Sequence, residues 1–175
     1  MKKIILIFLL FFNNLHASSF TLKKVINDLK SPWSLSFIDD TKLLITEKSG
    51  NIKLLNLKKN LVTDIKHNLN ILEDGQGGLL DILYLNKIVF VSYSENRSNG
   101  MSSTSVARAN FSNENLNFKN IFRAEPPINS GYHFGSRLVS KDNYLFITVG
   151  ERRQGMIAQD FTKHPGSIVR IHLDG

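Results

Sequence analysis

The chain contains no cysteine. It is therefore indifferent to an oxidising compartment, and compatibility with export is all this absence establishes. No apolar segment is long enough to span a bilayer as a mature helix. No Gly-x-Ser-x-Gly turn is present to display a nucleophilic serine. No glycine-rich loop runs into Lys-Ser or Lys-Thr, so the common phosphate-binding loop is missing. The histidines, His16, His67, His133, His164 and His172, are scattered without metal-ligand spacing. No convincing amphipathic helix follows the N-terminal segment.

What is present begins with charge. The formal net charge is +7, and falls to about +5 without Lys2 and Lys3. The basic residues are dispersed, as in Lys23-Lys24, Lys58-Lys59 and Arg152-Arg153, which gives no nucleic-acid-binding face. Lys2 and Lys3 precede an apolar run from Ile4 to Phe12, and Leu15-His16-Ala17 supplies a cleavage site. Residues 1–17 read as a secretory signal peptide, and the mature chain is expected to open near Ser18, in the periplasm or outside the cell, with no membrane span left after cleavage. Asn96-Arg97-Ser98 and Asn110-Phe111-Ser112 match the glycosylation sequon and are taken as chance matches behind a bacterial export signal.

The rest of the chain reads as short strands and turns. Phe20 to Ile26 alternates roughly and is expected to be a strand. Trp33-Ser34-Leu35-Ser36-Phe37 alternates as a half-buried strand does. Leu43 to Glu47, the tight turn Ser49-Gly50-Asn51 and Ile52 to Leu57 form a hairpin phrase. Further strands are expected over Gly78–Tyr84, Lys87–Tyr93, Thr104–Phe111 and Phe118–Arg123. A third round holds Ser136–Val139, Tyr144–Thr148 and Ser167–Ile171. Leu43 to Glu47 aligns with Tyr144 to Thr148, and Gly50 to Leu55 with Gly166 to Ile171. The repeat of about fifty residues is the size of one propeller blade. The fold class is all-β, a β-propeller with about three blades over residues 18–175. A closed propeller has at least about four blades, so the chain is expected to be the N-terminal half of a longer protein. A non-repeating β-sandwich is the plainer alternative.

Propeller loops converge on the axis at one end, so two loops attract attention. Glu73-Asp74-Gly75-Gln76-Gly77-Gly78 surrounds a glutamine with glycines, which suggests a backbone brought close to a ligand, although a flexible inter-blade turn has the same composition. Gly131-Tyr132-His133-Phe134-Gly135-Ser136-Arg137 places a histidine between glycines. An isolated histidine is ordinarily a structural hydrogen-bonder, but a neutral imidazole can also take a proton from a hydroxyl. Arg137 could hold an anion or carboxylate in its fork. Glu151, Gln159 and Asp160 are further polar candidates, and both acids are read as turn and inter-blade hydrogen bonders.

Taken together, these phrases resemble the soluble, pyrroloquinoline-quinone-dependent aldose sugar dehydrogenases of the glucose/sorbosone dehydrogenase family. The matching phrases are Pro32 to Phe37, Leu44 to Glu47, Gly75 to Asp81, Tyr93-Ser94-Glu95, Ile121-Phe122-Arg123, His133 to Arg137, Ala158-Gln159-Asp160 and Gly166 to Ile171, in the family's order. The resemblance implies a six-bladed propeller in an exported protein, with the quinone over the axis and calcium coordinating it. It implies that His133 is the base that removes the hydroxyl proton at the anomeric carbon of an aldose while a hydride passes to the quinone. The products are the lactone and the reduced cofactor, which an external electron acceptor reoxidises. Gln76 matches a residue lining the sugar and quinone pocket, and Tyr132 and Arg137 flank the base. Tyr132 stands where some members carry aspartate, a departure that bears on sugar preference. The family's calcium ligands, an Arg-Asn pair and the basic residues gripping the quinone carboxylates come from its second half. No metal ligand is assigned to this half, and activity is assigned to the full-length protein.

Two other classes compete with this reading. A non-catalytic propeller could bind a carbohydrate or protein partner. A propeller hydrolase would need a nucleophile–base pair or metal cluster, and neither is found. Open strand edges in a three-blade chain also predict self-association, including a homodimer.

Overall fold

Three antiparallel sheets succeed one another along the chain. They are seen in a computed structural model that describes residues 20–175. The expected signal segment, residues 1–17, lies outside the described residues. The first sheet comprises β1 (Pro32–Asp39), β2 (Lys42–Glu47), β3 (Ile52–Asn56) and β4 (Leu61–His67). The second comprises β5 (Leu79–Leu85), β6 (Ile88–Asn96) and β7 (Ser102–Asn110), and its outer strand follows a two-residue strand, β8 (Asn115–Leu116), as β9 (Lys119–Arg123). The third comprises β10 (Gly135–Lys141), β11 (Tyr144–Val149) and β12 (Ile168–His172). The first strands open at Pro32, Leu79 and Gly135, roughly one blade length apart.

The sheets meet along their first strands, β1 against β5 and β5 against β10. Strands consecutive in sequence lie side by side, so each sheet is a meander running outward from that inner edge. This is a partial β-propeller of three blades whose sheets do not close into a ring among the described residues. β8 steps back to pair in parallel with β4, Lys66 opposite Asn115, and ties the outer edge of the first blade to the second.

Alternation along the middle strands builds the core. Val89, Val91 and Tyr93 of β6 join Leu44, Ile52, Ile65, Leu79 and Ile82 between the first and second blades. Phe90, from the other face of β6, joins Val106, Leu138, Leu145, Ile147 and Val149 between the second and third. A strand clad on both faces reads as a continuous apolar run, which is why Lys87–Tyr93 is visible in sequence. Each large side chain fully buried here contributes about 1.5–3 kcal/mol.

The structure corrects three expectations. Residues 20–26 form no strand: no neighbour offers a ladder, and Phe20 and Leu22 are almost wholly exposed. Ile26 at its end, and Leu29 just beyond, pack onto Leu43, Ile45 and Leu55. The alternation in β1 is inverted, with Trp33, Leu35 and Phe37 exposed and Ser34 and Ser36 half-buried. Ser34 Oγ donates to Asp81 (2.5 Å) and Ser36 Oγ accepts from the Tyr84 N–H (2.9 Å), so the polar face is the one turned to the neighbouring blade. β4 goes unpredicted because Asp64, Lys66 and His67 interrupt its apolar pattern, as suits an outer strand with little of its length buried.

The strand registers fix where the loops gather. Each blade's first strand begins, and its second strand ends, at the same end: Pro32 opposite Glu47, Leu79 opposite Tyr93, Gly135 opposite Val149. The loops that enter first strands and the loops between second and third strands therefore share one end of the molecule.

Candidate active site

Both loops singled out in sequence enter first strands. The loop before β5 carries Gln76, and the loop before β10 carries Tyr132 and His133. The loop between β11 and β12, residues 150–167, arrives at the same end and includes a 3-10 turn at Gly155–Gln159. Glycines let these loops touch. A Cβ on Gly75 would lie 2.4 Å from the Gly131 carbonyl oxygen, and one on Gly78 would lie 2.1 Å from that of Lys48. One on Gly150 would lie 1.9 Å from that of His133. The glycines thus bring loop backbones against one another, a packing role that composition alone did not reveal.

His133 sits at the meeting point of three loops. Its backbone is left-handed, with φ of 51°, a conformation uncommon for a residue with a side chain. Its N–H donates to Gln76 Oε1 at 2.8 Å, and the Gln76 N–H donates to the Gly131 carbonyl at 2.6 Å. The two sequence-selected loops are therefore joined reciprocally. Nδ1 of His133 hydrogen-bonds Glu151 Oε1. That bond, helped by the Arg153 N–H at 3.1 Å, holds the Glu151 carboxyl below the usual glutamate range. Glu151 is thus ionised at neutral pH and can only accept, so Nδ1 carries the shared proton. In the neutral ring this leaves Nε2 with a free lone pair, on a side chain 44% exposed. The arrangement is an orienting acid, an imidazole of fixed tautomer and an accessible base.

Glu151 is the residue that sequence reasoning undervalued. Its turn contact to Arg153 exists, but its main partner is His133, eighteen residues earlier. The available signal was that Gly150-Glu151 directly follows β11, the strand paired with the one His133 leads into. Asp160 behaves as expected of a turn acid. Thr162 bonds through its hydroxyl (2.6 Å) and its N–H (3.0 Å), and with Lys163 holds the Asp160 carboxyl down at about 2.

The other sequence-selected residues divide. Tyr132 flanks His133 and its ring lies under the Arg153 guanidinium, 3.6 Å from its centroid. Arg137 is set apart on β10. Its Nη1 donates to the buried Asp81 carboxylate at 2.9 Å, beside a recess of about 330 Å³ bounded by Trp33, Asp81, Gly135 and Ser136. Asp81 also accepts from Ser34 Oγ and from the Leu138 N–H (2.7 Å), so one carboxylate joins the first strands of all three blades. No hydrogen bond connects Arg137 to His133 or Gln76 among the described residues. Nor does any group of three or more His, Asp or Glu side chains among them come together as a metal site. No helix among them is long and apolar enough to cross a membrane.

Fold and site together define a propeller whose loop end carries an acid-supported histidine. The sequence profile of the glucose/sorbosone dehydrogenase family matches residues 29–175, and the chain belongs to that family. It is 34% identical over 157 residues to the aldose sugar dehydrogenase YliI of Escherichia coli K12, a match covering 84% of this chain and 42% of that protein. A solved glucose dehydrogenase superposes with a TM-score of 0.84 at 34% identity, over 89% of this chain and 51% of that one. The quinone-bound aldose sugar dehydrogenase of Streptomyces coelicolor shares the fold, with a TM-score of 0.77 at 23% identity, over 88% of this chain and 48% of its own. The chain thus spans about half the length of these relatives.

Proposed function

We propose that residues 20–175 carry the base-bearing part of a quinoprotein aldose dehydrogenase site, which oxidises a sugar at its anomeric carbon to the lactone. The observation that carries this is the Glu151–His133 pair, which leaves Nε2 as an accessible proton acceptor. Membership of the family and the aldose activity named for the Escherichia coli relative support the substrate class. The quinone bound in the Streptomyces relative supports the cofactor.

In this reading Nε2 of His133 takes the proton of the C1 hydroxyl, and Glu151 stabilises the imidazolium that results. Gln76, its Oε1 held by the His133 N–H, has its amide NH₂ left for substrate or cofactor. Tyr132, backed by Arg153, forms the rim and bears on which sugar enters. When bound, pyrroloquinoline quinone supplies the two-electron acceptor for the hydride leaving C1, and an external acceptor reoxidises it. The described residues fit the sugar-side half of such a site. In this reading calcium and the grip on the quinone carboxylates come from the part of the relatives' length that this chain does not span, as the family resemblance implies. Activity accordingly belongs to a protein that also carries those blades. We further propose export to the periplasm or beyond, from the sequence of residues 1–17.

The test is His133→Gln in the full-length protein. Loss of the base is expected to lower dye-linked aldose oxidation by about 10²–10⁴, with quinone binding retained. Unchanged turnover overturns the base assignment. Absence of saturable quinone binding in the presence of calcium overturns the enzyme reading in favour of a non-catalytic propeller.

A further inference from the structure

Glu151, Arg152 and Arg153 are consecutive, and each engages part of Tyr132-His133-Phe134. Glu151 takes the His133 imidazole, Arg153 stacks on Tyr132, and Arg152 lies 3.7 Å from the centroid of the Phe134 ring. Arg152 is the unusual member. It is only 2% exposed, and no carboxylate hydrogen-bonds its guanidinium among the described residues. Instead Nε donates to the Tyr132 carbonyl (2.9 Å) and Nη1 to the Ser102 carbonyl (3.1 Å). Nη2 donates to Ser102 Oγ (2.8 Å) and to the Ser130 carbonyl.

We propose that Arg152 is a positioning residue for His133, acting by fixing the backbone of Ser130–Tyr132 against the first residue of β7. The proposal rests on the reading of His133 as the base. Of the three carbonyls leading into His133, those of Ser130 and Tyr132 are held by Arg152, and that of Gly131 by the Gln76 N–H. A buried guanidinium bears a desolvation cost that an apolar side chain of similar volume would not. What such a side chain could not do is join two loop carbonyls to another blade through one rigid planar fork. Lysine could not do so either, having a single nitrogen in place of three. Burial pushes the Arg152 guanidinium down to about 10, against an opposing pull from Asp74, so it is cationic at neutral pH. His133, Arg152 and Arg153 all hold left-handed backbones, at φ of 51°, 57° and 59°. Such a conformation is unfavourable for a residue with a side chain and persists only where the surroundings over-determine it.

The experiment compares Arg152→Lys, and the milder Ser102→Ala, with the parent full-length, quinone-loaded protein. Hydrogen exchange is expected to rise about tenfold or more in the peptide spanning Ile128–Gly135 of Arg152→Lys, with β6 and β7 unchanged. kcat is expected to fall by about 10–100-fold while KM for the sugar stays within about twofold, because a misplaced base slows the chemical step without weakening binding. Ser102→Ala is expected to fall between. Unchanged exchange in that peptide overturns the proposal. So does an increase spread evenly over all strands, which marks a general structural role, and so does loosening of the loop at constant kcat. Turnover retained in His133→Gln overturns the base reading itself, while the exchange measurement still decides whether Arg152 fixes the loop.

Discussion

Replacing Glu151 by glutamine tests the acid–histidine pair most directly, because shape is kept and charge is lost. In the parent, Nδ1–H donates to an ionised carboxylate that His133 itself holds below the ordinary glutamate range. A hydrogen bond to a charged group contributes about 1.5–3 kcal/mol, and one between neutral groups about 0.5–1.5. The difference, about 1–1.5 kcal/mol, is felt most when Nε2 has taken a proton and the ring is cationic. Full Coulomb attraction at such contact would add several kcal/mol at an effective dielectric of about 20. Glu151 is 31% exposed, however, and solvent screens most of that. Glu151→Gln is therefore expected to lower kcat by about 5–15-fold, with sugar KM within about twofold. The assay is steady-state dye-linked aldose oxidation by the quinone-loaded full-length protein, corrected for quinone occupancy. A kcat within twofold of the parent refutes the orienting role of Glu151, even if His133→Gln is inactive.

Three further outcomes are expected. Asp81→Ala leaves the Leu138 and Ile82 N–H groups without their acceptor; Arg137, 61% exposed, regains water, so the loss is about 2–4 kcal/mol, read as a lower urea midpoint at constant m-value. Gly150→Ala places a methyl against the His133 carbonyl and is expected to reduce kcat at least about tenfold with little change in the far-ultraviolet circular dichroism; full activity contradicts the loop packing described. The third concerns acid. Desolvation pushes the Glu95 carboxyl up, but hydrogen bonds from Arg123 and Ser105 outweigh it and hold it below its ordinary value of 4.5. A depressed folded value means the contribution is complete above the unfolded value and is lost as pH falls through the folded one. Stability should therefore decline below that ordinary value, and Glu95→Gln should flatten the decline in urea midpoints measured between about pH 3 and pH 6.

The strands were legible because burial writes itself into sequence. β6, covered on both faces, reads as an apolar run, and the paired phrases around β2–β3 and β11–β12 align as the same blade segment. β4 and β8 were not legible, since an outer strand and a two-residue bridge bury too little to leave a pattern. β1 was read as a half-buried strand, and its buried face proved to be the serine one. Alternation shows that two faces differ, whereas contact with β5 decides which one is enclosed.

The site divides in the same way. The sequence by itself determined the all-β repeat and the two glycine-flanked loops carrying Gln76 and His133, because turn chemistry and residue type are local properties. Through ordered resemblance it also determined the family. Only the tertiary structure decided that Glu151 holds Nδ1 of His133, that Arg152 is buried beneath the loop, and that Arg137 belongs to Asp81. These contacts span 18, 20 and 56 positions along the chain. A hydrogen bond depends on which loops the blade registers bring to one end, and no local pattern encodes that meeting.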